Sequence, residues 1–384
     1  MAAEAKVADD NEMKNDDEKV SSFPKRAPYP DEIETDEEKN HPLKRYKDIA
    51  ERLEEIRVSH LDGTLYEAHE KCEELMKYMQ EHYASTAEQL LAEYRAHPRY
   101  KSITAQLQET KRMLDFLTSQ QGWTLYKDDG TWSTEWQESD ESDFESFRIT
   151  GVGDVPLYNI LAVIYEMDLI KLWMPLCKES IECGQLSLHC KCGLIRVGLF
   201  WPIQDRETIL FGYGIDDLRN GKLLIYFDSR DDNDKIEIPQ CAKNRVRVDV
   251  FLGGFYFERL TRDKTKITCV WNCDPKMSVP TSIINWFAGT FAATLVQQIV
   301  NAAKFDEKSE YFKRVQNNPE FYGKIKKKLD ETMTMSDLKQ ADNENGNDDQ
   351  KVHGGDVEDE KEEESEQQTN ELENDVETEN VSKK

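Results

Sequence analysis

WNCDPKMSVPTSIINWFAGTFAATLVQQIVNAA, residues 271–303, is the stretch that decides how this chain is read. It opens as the end of a strand at Trp271, turns at Asp274-Pro275, and enters a helix started by Pro280. Proline suits the first turn of a helix, where its missing N–H would have no partner. From Ile284 the apolar residues Phe287, Ala288, Phe291, Leu295 and Ile299 recur at helical spacing. Ile283, Trp286 and Val296 occupy the other side, so the helix is apolar nearly all round. Such a helix is buried on most sides or lies over something apolar. The plain reading is a core helix.

Immediately before it, Ile181 to Cys273 alternates in the manner of strands. Leu186 to Val197 supplies one or two, Thr208 to Ile215 another, and Leu223 to Asp228 returns across Asn220-Gly221. Arg245 to Glu258 faces Lys266 to Asn272, with a bulge expected at Gly253-Gly254. Further upstream, Val155 to Tyr165 and Asp168 to Met174 read as two short helices. Trp123 to Lys127 and Thr131 to Trp136 form a hairpin around Asp128-Asp129-Gly130, and Phe144 to Val152 is a third strand. A helix over Ser102 to Gln120 precedes these strands. From Pro42 to His97 the pattern is helical, with Leu65, Cys72 and Met79 seven apart. Ser85 to Glu88 reads as a capping box, and His97-Pro98 ends the series. Fewer than three heptads leave a coiled-coil dimer and a helical hairpin packed on the same chain both open. Strands segregated from helices and joined mostly by hairpins mean an antiparallel α+β fold.

The 384 residues carry a net charge of -27, unevenly spread. Residues 331–384 hold nineteen acidic residues against five basic ones and almost nothing apolar. That segment and the acidic first 42 residues bury too little surface to offset the entropy of ordering, so both are expected to be disordered. The acidic balance argues against nucleic acid, whose phosphates attract basic faces. No apolar run follows a basic start, and none reaches about 18 residues, so neither a signal peptide nor a membrane span is expected. Eight cysteines without a secretory signal point to reduced thiols in the cytosol. Cys190-x-Cys192 after His189, and Cys269-x3-Cys273, can be read as metal ligands, but both sit in strand-like sequence without a clean CxxC pair, so no metal or other cofactor is implied. G-x-S-x-G, H-E-x-x-H and G-x-x-x-x-G-K-[ST] are all missing, and the chain is not read as an enzyme.

The order of these elements, with certain words in it, resembles the START family, the steroidogenic-acute-regulatory-related lipid transfer domains. The words are Gly122-Trp123, Leu172-Trp173, Trp201-Pro202 to Arg206-Glu207, Val248 to Leu260, and Asp274 to Asn285, over about residues 105 to 305. The family usually has Arg-Asp where this chain has Arg206-Glu207. The resemblance implies a helix-grip fold, a curved antiparallel sheet around a long C-terminal helix, with a lipid-sized tunnel between them. The division expected is a disordered N-terminus (1–42), a helical region (43–98), a START-like domain (100–328) and a disordered tail (329–384).

On this resemblance, the chain is a soluble, cytoplasmic lipid-binding or lipid-transfer protein, peripheral at membranes, holding one sterol or phospholipid. Ile284, Phe287, Phe291 and Leu295 would line the cavity, with Tyr213 as a further ligand-binding candidate. Arg206 either grips a lipid head group or forms a salt bridge with Asp205 or Glu207. Arg196, a lone charge among Leu194, Ile195 and Val197, is either a second head-group contact or points outward. Leu199, Phe200 and Trp201 are either a membrane-contact point at the tunnel mouth or an ordinary strand end. A different reading makes the domain a non-catalytic scaffold whose helices in 43–98 bind protein partners or a second copy.

Overall fold

Apolar residues at helical spacing give four of the five α-helices at the start of the described chain, the short charged α1 being the exception. The computed structural model describes residues 35–139, 144–199, 202–229, 236–276 and 294–332. The helices are α1 (Asp36–Lys39), α2 (Lys47–Leu61), α3 (Leu65–His82), α4 (Ala87–Ala96) and α5 (Pro98–Thr118). The capping box expected at Ser85–Glu88 is not formed: Thr86 is the N-cap of α4 and its side chain makes no cap bond. A capping box opens α1 instead, between Thr35 and Glu38. Pro98 ends α4 and also opens α5, four residues before the expected start, with the His97 ring accepting from the Arg99 N–H at 3.1 Å.

Period two then takes over. The strands are β1 (Thr124–Asp128), β2 (Trp132–Gln137), β3 (Ser146–Gly153), β4 (Cys177–Ser187), β5 (Cys190–Val197), β6 (Asp205–Asp217), β7 (Lys222–Ser229), β8 (Arg245–Arg247), β9 (Asp249–Arg259) and β10 (Thr265–Asp274). Helix α6 (Leu157–Tyr165) and a 3-10 turn (Met167–Leu172) lie between β3 and β4. After β10 come α7 (residues 294–302), α8 (Glu310–Asn317) and α9 (residues 319–332). The sheet runs β1-β2-β3-β10-β9-β7-β6-β5-β4 with antiparallel neighbours, and the short β8 pairs in parallel with β6. The register slips between Asn272 and Cys273 of β10, leaving Phe251 of β9 without a partner. The bulge therefore falls two residues before the expected Gly253-Gly254, which stay in register with Trp271 and Val270. Those glycines serve close packing: a Cβ at Gly253 would meet the Phe227 ring, and one at Gly254 would meet the Met113 side chain.

The central strands give the sheet two apolar faces, with a large cluster on each. On the outer face, Tyr213, Ile215, Leu224, Tyr226, Tyr256 and Val270 share one cluster with the apolar stripes of α2 to α5. The helices of 43–98 are thus packed on their own chain's sheet. On the inner face, Phe257, Ile267 and Cys269 pack with α6, the 3-10 turn and residues 295–329 of α7 to α9. The expected start of the long C-terminal helix at Pro280 lies outside the described residues, as do both termini. Asn159 donates to the Ala303 carbonyl at 2.8 Å and Trp132 Nε1 to Gln297 Oε1 at 3.0 Å, which ties α7 to α6 and to the sheet.

Candidate functional site

Strand β6 shows how the site arises. Its residues alternate between buried and half-buried along nearly its whole length. Ile209, Phe211, Tyr213 and Ile215 are buried on the outer side. Leu210, Gly212, Gly214 and Asp216 face inward and are less covered because they border a cavity of about 200 Å³. At Gly212 and Gly214 a Cβ would meet nothing closer than 3.9 Å, so these two positions leave open floor where a side chain would stand. Ile225 and Phe227 of β7 and Phe255 of β9 continue the floor. Met167, Ile170 and Trp173 of the 3-10 region form one side wall, and Leu295 of α7 with Phe321 and Ile325 of α9 form the roof.

The roof is fastened at both ends. Tyr322 Oη donates to Glu166 Oε1 at 2.7 Å, Tyr311 Oη donates to the Leu169 carbonyl at 3.1 Å, and Tyr165 stacks on Phe321 with centroids 4.2 Å apart. Arg314 bonds Asp168 and Glu166. At the other end Lys328 pairs with Asp216, and Arg259 donates to the Leu329 carbonyl at 2.8 Å.

Few polar groups reach the cavity. Register places three of them around the glycine floor: Lys191 pairs with Gly212, the Gly214 N–H donates to the His189 carbonyl at 2.8 Å, and Asp216 lies two residues further along the same face. Lys191 Nζ is 2.9 Å from Glu182 and 3.8 Å from the centroid of the Tyr165 ring. Burial holds the His189 pKa below the usual histidine value, Lys328 adding to the depression while Asp216 and Asp62 oppose it. The turn at Gly63, between α2 and α3, packs against the His189 ring so closely that a Cβ there would stand 2.3 Å from it.

Of the residues singled out in the sequence, Leu295 lies in the cavity wall. Ile284, Phe287, Phe291, Phe200 and Trp201 lie outside the described residues. Tyr213 is buried in the outer cluster, on the side of β6 away from the cavity. Arg206 donates to the carbonyls of Gln204, Pro275 and Lys276 at 2.7–3.1 Å, which fixes one strand end to another. It pairs with neither Asp205, which bonds Lys178, nor Glu207. Glu207 is buried between Arg245 and Arg247, whose hydrogen bonds keep its pKa low although burial works the other way. Arg196 lies 3.4 Å from Glu179, outside the cavity lining. Leu199 is half-buried.

Lys191, Asp216 and Ile325 are not among the residues the sequence points to, and His189 stands out there only beside Cys190-x-Cys192 as a metal-ligand pattern. Two signals were present in the sequence: glycines at 212 and 214 put two missing side chains on one face of a strand, and Phe321, Ile325 and Leu329 repeat at helical spacing.

A START domain family model matches residues 105–308. Among solved structures, human STARD10 is 19% identical with a TM-score of 0.47, covering 55% of this chain and 82% of that one. Human StAR-related lipid transfer protein 5 is 17% identical with a TM-score of 0.46, covering 53% and 98%. The Zhui aromatase/cyclase of a Streptomyces species is 9% identical with a TM-score of 0.31, covering 42% and 94%. No curated protein sequence matches the chain.

Proposed function

The chain belongs to the START domain family, and from that premise we propose that it is a carrier that holds one lipid and transfers it between membranes. One observation supports this most: an almost wholly apolar cavity on the inner face of the sheet, floored by glycines and roofed by α7 and α9. Withdrawing an acyl chain from a bilayer costs about 0.8 kcal/mol per CH₂, or about 13 kcal/mol for sixteen carbons. A protein can return that only through a lining of this kind. Catalysis is not needed for the task, and the residues at the cavity serve as walls rather than as nucleophile and base.

The space is smaller than the roughly 300–1,000 Å³ of common ligand sites, so loading requires the roof to move. Leu199, Phe200 and Trp201 are proposed as the membrane-contact point. The Gly198 N–H donates to the Leu176 carbonyl at 2.8 Å, which sets the residue before Leu199 beside exposed Leu176. Leu176 sits at φ 60, an uncommon value for a leucine. The location that follows is cytoplasmic and peripheral at membranes; among the described residues no helix is long and apolar enough to cross one. The scaffold reading is less well supported, because α2 to α5 already bury their apolar stripes on the sheet.

Transfer of a fluorescent lipid between donor and acceptor vesicles tests the proposal. The full chain should accelerate it in proportion to protein concentration. The joint change Phe200→Ser and Trp201→Ser should slow transfer with little change in melting temperature. A chain that leaves transfer at its spontaneous rate is not a carrier.

A further inference from the structure

The charges in the cavity wall narrow what it can hold, an inference that rests on the carrier reading above. Lys191 is almost fully buried, and its ammonium is matched by Glu182 at 2.9 Å and by the face of the Tyr165 ring. Asp216 is matched by Lys328 and also accepts the Leu218 N–H at 2.9 Å. Among the described lining residues, each full charge therefore faces its opposite already. The remaining ionisable ring, His189, has its pKa held below the usual histidine value by burial, which favours the neutral form. A neutral imidazole offers one N–H donor and one bare nitrogen acceptor. These three side chains surround the only stretch of floor, among the described residues, where two strand positions in succession on one face lack side chains.

We propose that the corner formed by His189, Lys191 and Asp216 above Gly212 and Gly214 receives the uncharged polar end of a lipid bearing a free hydroxyl, and excludes lipids whose buried end is a carboxylate or phosphate. An anionic group brought there would meet no unmatched cation. It would have to take Lys191 from Glu182, leaving that carboxylate without its partner, and burying an unpaired charge is strongly unfavourable. A hydroxyl asks for neither. It can donate to Asp216 or to the bare nitrogen of His189, and accept from Lys191, while both ion pairs stay in place.

The full chain would be incubated with phosphatidylcholine vesicles containing cholesterol and dioleoylglycerol, and separately with oleate, then re-isolated and its bound lipid identified by mass spectrometry. Cholesterol or dioleoylglycerol should be recovered, and phosphatidylcholine and oleate should not. Phosphatidylcholine or oleate bound as well as the hydroxyl lipids would overturn this inference while leaving the carrier reading intact. A chain that takes up no lipid would overturn the carrier reading and this inference with it. Glu182→Gln supplies a second arm, because it removes the counter-charge of Lys191 from a half-exposed position. With the melting temperature preserved, that variant should gain oleate binding on the order of tenfold, and adding Lys191→Met should abolish the gain. A folded Glu182→Gln protein that gains no oleate would place Lys191 outside the ligand corner and refute the assignment.

Discussion

On the outer side of β6, Phe211, Tyr213 and Ile215 are buried under other parts of the chain; on its inner side, Gly212, Gly214 and Asp216 border an open space. The same thirteen residues thus contribute to a close-packed layer and to a cavity. The outer layer gains its stability when the chain folds. The inner layer withholds contacts that a bound apolar molecule can supply later. A ligand that binds only the folded state adds stability by mass action, about 2.7 kcal/mol at a hundredfold excess over its Kd. The inner layer is where such an addition can occur.

If that division holds, truncation of the outer layer should have the largest effect on stability and little on ligand choice. Leu75 of α3 is fully buried there. Leu75→Ala should cost about 2–5 kcal/mol, read by urea unfolding, while the identity of the bound lipid stays unchanged. A shift in bound lipid without a loss of stability would erase the distinction between the layers.

The outer layer should also carry an acid sensitivity of its own. His60 is fully buried; its Nε2 lies 2.7 Å from Gln106 Oε1, and Arg99 faces its Nδ1 at 3.4 Å. Burial, reinforced by Arg99, lowers its pKa to about 4 against the opposing pull of Gln106 and Glu38. Below the unfolded value of about 6.5 the unfolded chain takes up a proton that the folded chain refuses. The contribution is therefore complete above about pH 6.5, declines as pH falls toward 4, and changes no further below that. The loss is roughly 3 kcal/mol. Unfolding curves at pH 7 and pH 4.5 should differ less for His60→Gln than for the native chain; equal differences would remove His60 from the account.

Two glycines sharpen the comparison further. Gly254→Val places a side chain against Met113 of α5 and should cost about 1–3 kcal/mol through overpacking. Gly212→Val places one in the cavity, relieves a strand glycine of its entropic cost, and compared with the lipid-free native chain should leave stability unchanged or raise it by up to about 1 kcal/mol. Equal losses in the two variants would mean that the inner face is packed as tightly as the outer one.

Helix α9 repeats the contrast on a small scale. Its inner side carries Phe321, Tyr322, Ile325 and Leu329, all buried, and its outer side carries Lys324, Lys326 and Lys327, each paired within the helix. Such exposed pairs contribute about 0.3–0.5 kcal/mol. Lys326→Ala should therefore change the melting temperature barely at all, whereas Ile325→Ala should lower it measurably.

Much of this was legible in the sequence. Alternation between Thr208 and Ile215 set the strand, and Asn220-Gly221 placed the turn into β7, where Gly221 takes φ 67. The ordered words from Gly122-Trp123 to the Asp274-Pro275 turn indicated the family. The site was harder, because alternation shows which residues share a face and not which of the two faces is filled. Tyr213 and Leu210 are both large residues in one strand, and only the helices packed on the outer side separate their roles. The turn after Trp201-Pro202 leaves Arg206 open to a salt bridge with Asp205 or Glu207 or to a head group, yet its guanidinium is taken up by backbone carbonyls from a segment about seventy residues away. Lys191 is hidden in the sequence because it lies between Cys190 and Cys192, where the spacing resembles a metal-ligand pair. Its partner Glu182 comes from the neighbouring strand, a pairing set by bulged register in β4 that no single segment displays.

The most direct test of the central claim, that the inner face is a lipid site, is non-denaturing mass spectrometry of the purified full chain beside Gly212→Val. The account predicts about one lipid per native chain, and loss of that mass in Gly212→Val, whose melting temperature should match that of the delipidated native chain. A native chain that is empty on purification and still empty after incubation with vesicles, or a Gly212→Val chain that retains its lipid, would contradict it.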